Sequence, residues 1–215
     1  MPSYTTTRYE YLQLMAPKIT DELITTSISG VVKEWYDVKD RDGNLYNVWM
    51  SGATNVALGL ALSLPHRRVI SLDADGSMLM DLTVLPAIAN KNPANLIVIV
   101  FDNELYECLP PGTIPTLTAG QTDLVKVAQG AGIQNCRLVR EPKEFQEAID
   151  EAFQANGASF IVVKVDRTRV PLPVPTFNGT ENKYRFIRYV ERTENIAILK
   201  GPSIQESFGG RAAPF

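Results

Sequence analysis

The sequence predicts an α/β protein, a three-layer sandwich built on a mostly parallel sheet. Short runs that are apolar at nearly every position, such as Leu96–Phe101, alternate with segments whose apolar residues recur at helical spacing. Strands of that kind are buried on both faces, so helices must cover the sheet on either side. Of the 215 residues, 45% are apolar and 21% charged, enough for one sizeable core.

Taken in order, a helix is expected over Arg8–Met15 and a short strand over Leu23–Thr26. Asp42-Gly43 reads as a turn. Then come a small-residue helix over Thr54–Leu64, a strand over Val69–Asp73, a helix over Met78–Asn90 and the strand Leu96–Phe101. In "PKEFQEAIDEAFQA", Phe145, Ala148, Ile149, Ala152 and Phe153 form one stripe with Pro142 in the first turn, an amphipathic helix. "FIVVKV" follows as a strand. From Arg169, "RVPLPVPTFNGT" has too many prolines for a helix or a central strand. The sequence therefore divides into an α/β domain over residues 1–168 and, over 169–215, a strap, a helix in "ENKYRFIRYVERTENIAIL" and an extended tail that pack on the domain or on a partner.

A formal net charge of −3, without a run of like charges, gives no case for nucleic acid or an anionic membrane surface. No apolar run is long enough to span a bilayer and the first residues lack a secretory pattern, so a cytoplasmic location is expected. Cys108 and Cys136 have no ligand spacing, which argues against a cluster, a structural zinc or a disulfide framework. The "NGT" at Asn178 is accordingly read as an incidental sequon.

The chemistry is expected at two strand ends. In parallel sheets ligands sit beyond the carboxyl ends of the strands, and there the sequence turns polar, as Asp73-Ala74-Asp75-Gly76-Ser77 and as Asp102-Asn103-Glu104-Leu105-Tyr106. Asp75 and Asn103 offer hard oxygen donors suited to magnesium. Gly76 allows close backbone approach, and Ser77 can donate a hydroxyl to a phosphate.

"ADGS", the following stretch to Phe101, and "DN" together resemble the cofactor motif of the thiamin diphosphate-dependent enzymes. The upstream "WMSGATNVALGLALSLPHRRVISLDADGS" is similar to that family's flank. "RYE" near the start and "KYRF" near the end resemble its sulfopyruvate and phosphonopyruvate decarboxylase branch. The resemblance implies the fold of the diphosphate-binding module, with thiamin diphosphate and magnesium as cofactors. It implies that Asp75, the Asn103 side chain and the Leu105 carbonyl bind the metal. Ser29 (or Ser27), Gly76 and Ser77 would contact the diphosphate, with Asn103, Leu105 and Tyr106 against the cofactor. The Val48 carbonyl and Met50 N–H would hold the aminopyrimidine, with the Met50 side chain as the wedge that bends the cofactor. Glu107, with Cys108 beside it, would face the reactive end and assist proton transfer. Ala74 and Asp102 depart from the family's glycine and asparagine, and Ala74 matters only if that position needs a positive φ.

The activating glutamate of that family lies on a pyrimidine-binding domain for which this chain has no room. The resemblance thus implies a heteromer, α2β2 or larger, in which an α-type partner completes the site for a small 2-oxo acid. A carboligase subunit similar to acetolactate synthase and a non-catalytic subunit that keeps the fold are the alternatives. A ferredoxin oxidoreductase β subunit ranks below them for want of cluster cysteines, and no G-x-G-x-x-G supports a plain nucleotide binder. Arg167, Arg169 and Arg185 are candidate cations for an anionic substrate tail. Asp73, His66 and the tyrosines read as structural.

Overall fold

The computed structural model describes residues 4–107, 114–173, 175–176 and 178–199; Cys108 and the tail 201–215 fall outside them. α1 (Arg8–Met15) opens on a capping box, with the Thr7 hydroxyl accepting from the Glu10 N–H and the Glu10 carboxylate accepting from the Thr7 N–H. β1 (Leu23–Ser27), α2 (Gly30–Lys39), β2 (Asn44–Val48), α3 (Ala53–Ser63) and β3 (Val69–Ala74) follow. The chain continues through α4 (Asp75–Met80), α5 (Val84–Lys91), β4 (Leu96–Asp102), α6 (Leu124–Gly130), β5 (Asn135–Val139), α7 (Pro142–Gln154), β6 (Ser159–Lys164) and α8 (Gly179–Glu194). No helix among the described residues is long and apolar enough to cross a membrane.

All six strands run parallel in the order β2-β1-β3-β4-β6-β5. Side chains alternate across β4: Ile97, Ile99 and Phe101 pack with α1, α2 and α7, while Leu96, Val98 and Val100 pack with α3, α5, α6 and α8. The period of two thus divides one continuous apolar run between two cores. From β1 the chain moves outward to β2 and then returns to β3 on the other side of β1. That reversal opens a crevice at the carboxyl ends of β1 and β3.

The element boundaries differ from the sequence reading where short-range polar chemistry intervenes. The single helix expected over Met78–Asn90 is two, because Asp81 accepts from the Thr83 N–H at 3.1 Å and from its hydroxyl, a local turn that competes with helical pairing. α8 stops at Asn195, left-handed at φ 53°, rather than running to Leu199. The strands β2 and β5 were not expected: both are sheet edges, partly exposed, and neither carries a continuous apolar run. α2 and α6 were likewise missed. Asn178 proves to be the N-cap of α8, accepting from the Glu181 N–H at 2.9 Å.

The outer edge of β2 is closed by one side chain. Asn182 of α8, fully buried, donates to the Asn44 carbonyl at 3.0 Å and accepts from the Tyr46 N–H at 2.7 Å, standing in for a neighbouring strand. Asn182→Leu should therefore destabilise the chain by about 2–4 kcal/mol by orphaning two buried backbone groups. Arg192→Ala, which removes an exposed pair with Asp42, should change stability by less than about 1 kcal/mol. Urea denaturation midpoints of the two variants measure the contrast.

Candidate functional site

β3 and β4 are neighbours, with Ala74 opposite Phe101, so their polar ends lie side by side. Asp75 is 1% exposed. Its Oδ2 accepts from the Thr116 hydroxyl at 2.5 Å and the Thr118 hydroxyl at 3.0 Å. Thr118 also lies 2.7 Å from Asp102 Oδ1, so one hydroxyl stands between the two carboxylates. Lys164, opposite Asp102 on β6, pairs with Asp102 at 2.8 Å and with Glu104 at 3.1 Å. Burial, and then the charge of Asp102, push the Asp75 carboxyl up to about 7 against the hydroxyls and the Gly76 N–H that favour its ionised form. Asp102 has its cation; Asp75 has none among the described side chains.

Both family departures are accommodated. Ala74 sits at φ −119°, ordinary extended backbone that an alanine adopts without strain. Asp102 brings a charge where an amide would be neutral, and Lys164 balances it.

Met50 occupies a turn closed by the Gly52 N–H on the Trp49 carbonyl, with Ser51 left-handed at φ 68°. Asn55 holds that turn from below, donating to the Ser51 carbonyl at 2.7 Å and to Asp81 at 2.9 Å. The Ser51 N–H donates to Ser77 Oγ at 2.9 Å, which leaves the Ser77 proton free to be donated elsewhere. The Val48 carbonyl accepts from the Ile28 N–H at 2.8 Å and keeps a second lone pair.

Asn103 is held at both ends of its amide: Oδ1 accepts from the Leu105 N–H at 3.0 Å, and Nδ2 donates to Glu107 Oε1 at 2.7 Å. Glu107 also accepts from Arg8 at 2.8 and 3.2 Å and from the Gly30 N–H at 3.0 Å. Burial would raise the Glu107 carboxyl, but the charge and hydrogen bonds of Arg8 outweigh it and hold the group below the usual carboxylate range. A carboxylate so saturated is suited to anchoring rather than to handing over a proton.

Ser29, Met50, Gly76, Ser77, Asn103, Leu105, Tyr106 and Glu107 line one narrow cleft at the crevice between β1 and β3. Its open volume is about 20 Å³, room for a water-sized group. The Tyr106 ring fills the rest: a Cβ at residue 76 would meet that ring at 2.6 Å, so the close approach Gly76 permits here is that of Tyr106. Among the described residues no cluster of three or more His, Cys, Asp or Glu side chains comes together. The donors at hand are one buried carboxylate, an amide oxygen and a backbone carbonyl, a hard-oxygen set that suits magnesium. The chemistry of these donors fits a magnesium diphosphate.

Arg185 does not reach this cleft; it pairs with Asp40 at 2.6 and 2.9 Å. Arg167 binds the Asn103 carbonyl at 3.2 Å and Glu104 at 2.7 Å, and Arg169 binds the Glu107 carbonyl. Tyr9, Tyr11 and His66 make structural contacts with Asp37, the Arg140 carbonyl and Glu194. Sequence reasoning missed Thr116, Thr118, Lys164 and Arg8. Lys164 left a signal, a single cation at the end of an apolar strand, and Arg8 stands in the "RYE" noted above without a role attached; the threonines arrive from a distant segment.

The family described as thiamine pyrophosphate enzyme, C-terminal TPP binding domain, matches residues 38–163. Sulfopyruvate decarboxylase subunit beta of Methanocaldococcus jannaschii is 32% identical, over 80% of this chain and 90% of that one. The sulfopyruvate decarboxylase of Methanosarcina acetivorans is 33% identical over 76% of this chain but only 42% of its own length. Among solved structures, the 4-hydroxybenzoylformate decarboxylase of Rhodococcus jostii superposes with a TM-score of 0.66 at 20% identity, over 79% of this chain and 34% of that one, a likeness of fold.

Proposed function

Since this chain belongs to the thiamine pyrophosphate enzyme family, we propose that it is the diphosphate-binding subunit of a heteromeric, magnesium-dependent 2-oxo acid decarboxylase. The observation that carries this reading is the convergence of Ser29, Met50, Gly76, Ser77, Asn103 and Leu105 on one cleft beside the buried Asp75. Relatives named as a subunit beta support the division of the enzyme between chains. The longer relative, of which this chain matches less than half, is long enough to hold a second domain. Ile28, Trp49 and Met80, close in sequence to Ser29, Met50 and Ser77, are 46%, 65% and 60% exposed, apolar surface that a pyrimidine-domain partner would cover.

Asp75, the Asn103 amide oxygen and the Leu105 carbonyl would hold magnesium, which restores the charge balance that Asp75 lacks. Ser77 would donate its hydroxyl proton to the diphosphate, Ser29 would add a contact from the β1 loop, and Tyr106 would have to leave Gly76 to admit the group. The Val48 carbonyl and the Met50 N–H would hold the aminopyrimidine. The Met50 side chain, on a turn braced by Asn55, would be the wedge against the cofactor, a place that its flexible thioether suits. When bound, thiamin diphosphate supplies the electron sink for loss of carbon dioxide from a 2-oxo acid. Glu107 holds Asn103 rather than moving protons, and the activating acid would come from the partner's pyrimidine-binding domain.

Asp75→Asn should keep the fold and weaken magnesium-dependent thiamin diphosphate binding by about 100-fold or more, beyond what changes outside the metal's own ligands usually cost; calorimetric titration that finds wild-type affinity ends the ligand assignment. Met50→Ala should lower kcat by roughly 100-fold while cofactor affinity holds, because it spoils geometry rather than binding. The purified chain alone should release no carbon dioxide from 2-oxo acids. Turnover by a sample free of partner would contradict the divided site.

A further inference from the structure

Arg8-Tyr9-Glu10 takes no part in the chemistry above, yet each side chain is committed. Tyr9 donates to Asp37 of α2 at 2.7 Å, and Glu10 closes the capping box. Arg8 is 5% exposed, and its guanidinium is shared between two acids: Glu34 at 2.6 and 3.0 Å, and Glu107 at 2.8 and 3.2 Å. A buried cluster of this kind is costly to desolvate, and apolar side chains of similar volume would join α1 to α2 as well or better. What it does that apolar packing cannot is aim an acceptor.

Glu107 Oε1, fixed by Arg8, accepts from Asn103 Nδ2 at 2.7 Å. The two ends of an amide have nearly the same shape and opposite hydrogen-bonding character. With Nδ2 committed to Glu107, Oδ1 lies on the other side, with the Leu105 N–H. Glu107 Oε2 takes the Gly30 N–H, so the same carboxylate also pins the turn that carries Ser29.

We propose that Arg8 is a positioning residue for the cation site: through Glu107 it holds the Asn103 amide with its oxygen, not its nitrogen, toward the metal. This rests on the reading of Asn103 as a magnesium ligand. Without Arg8 the Glu107 carboxylate keeps, among the described residues, only the Gly30 N–H besides Asn103, Asn103 gains the flipped rotamer, and an NH₂ group then faces a dication.

The test titrates magnesium against thiamin diphosphate binding by the full chain assembled with its pyrimidine-domain partner, and records thermal midpoints of the same samples without metal. Arg8→Met should raise the half-saturating magnesium concentration about 10–100-fold. Arg8→Lys should recover only part of this, because an ammonium cannot make the paired contacts. Glu34→Gln, which disturbs the other half of the cluster, should lower the midpoint and leave half-saturation within about threefold of wild type. Combining Arg8→Met with Asn103→Ala should add little to Asn103→Ala alone.

Wild-type half-saturation in Arg8→Met overturns the proposal, as does an equal metal defect in Glu34→Gln. If Asn103→Ala itself shows no defect, the metal reading falls and this role with it; a defect in Asn103→Ala without one in Arg8→Met removes only the role of Arg8. Should Arg8→Met fail to fold, Glu107→Ala carries the same expected rise in half-saturation and the same reversal if none is seen.

Discussion

A carboxylate buried at the end of a central strand, with a second carboxylate one hydroxyl away, is the constraint to which the surrounding structure answers. Asp75 and Asp102 would repel in a medium of low dielectric. Lys164 answers for Asp102, and a fold-back of the chain answers for Asp75. Leu105 bridges to Pro115, the Tyr106 N–H reaches the Ile114 carbonyl and the Thr116 N–H reaches the Glu104 carbonyl. That return brings Thr116 and Thr118 over Asp75. Two threonine hydroxyls soften the burial without neutralising it.

Backbone strain collects around the same place. Five non-glycine residues among those described have positive φ: Asn47, Ser51, Asn92, Glu104 and Asn195. Asn92 and Asn195 end helices, where the left-handed conformation is ordinary. The other three flank the cleft, two on either side of Met50 and one beside Asn103. Strain of about 1–3 kcal/mol per residue persists only where neighbours over-determine it. Here Asn55 and Ser77 secure Ser51, the Thr26 hydroxyl secures Asn47, and Lys164 and Arg167 secure Glu104.

The cleft is therefore rigid in its donors and incomplete in its walls. Around the side chains that would touch the diphosphate and the metal, α1 and α2 hold Glu107, α3 holds the Ser51 turn and β6 holds Asp102 and Glu104, whereas large apolar side chains close by in sequence face solvent. A half-site of this sort suits a subunit whose partner brings the remaining chemistry. Tyr106 over Gly76 fills the narrow space with an aromatic ring.

The layered fold, the central strands and the polar strand ends that meet at the cleft were legible in the sequence because they are local. An apolar run between polar turns marks a buried strand, and Asp75 and Asn103 sit at the ends of two such runs. Edge strands were not legible, since β2 and β5 lack that run and owe their place to pairing on one side. Nor was the service of Glu107: in sequence it is an acid four residues after Asn103, and only the approach of Arg8, ninety-nine positions earlier, turns it into an anchor. Thr116, Thr118 and Lys164 belong to the same group, as does the ring of Tyr106 on Gly76. Spacing along a chain determines which residues end neighbouring strands. Which charges those residues meet once water is excluded is decided by chain segments far apart in sequence, and that only the tertiary structure supplies.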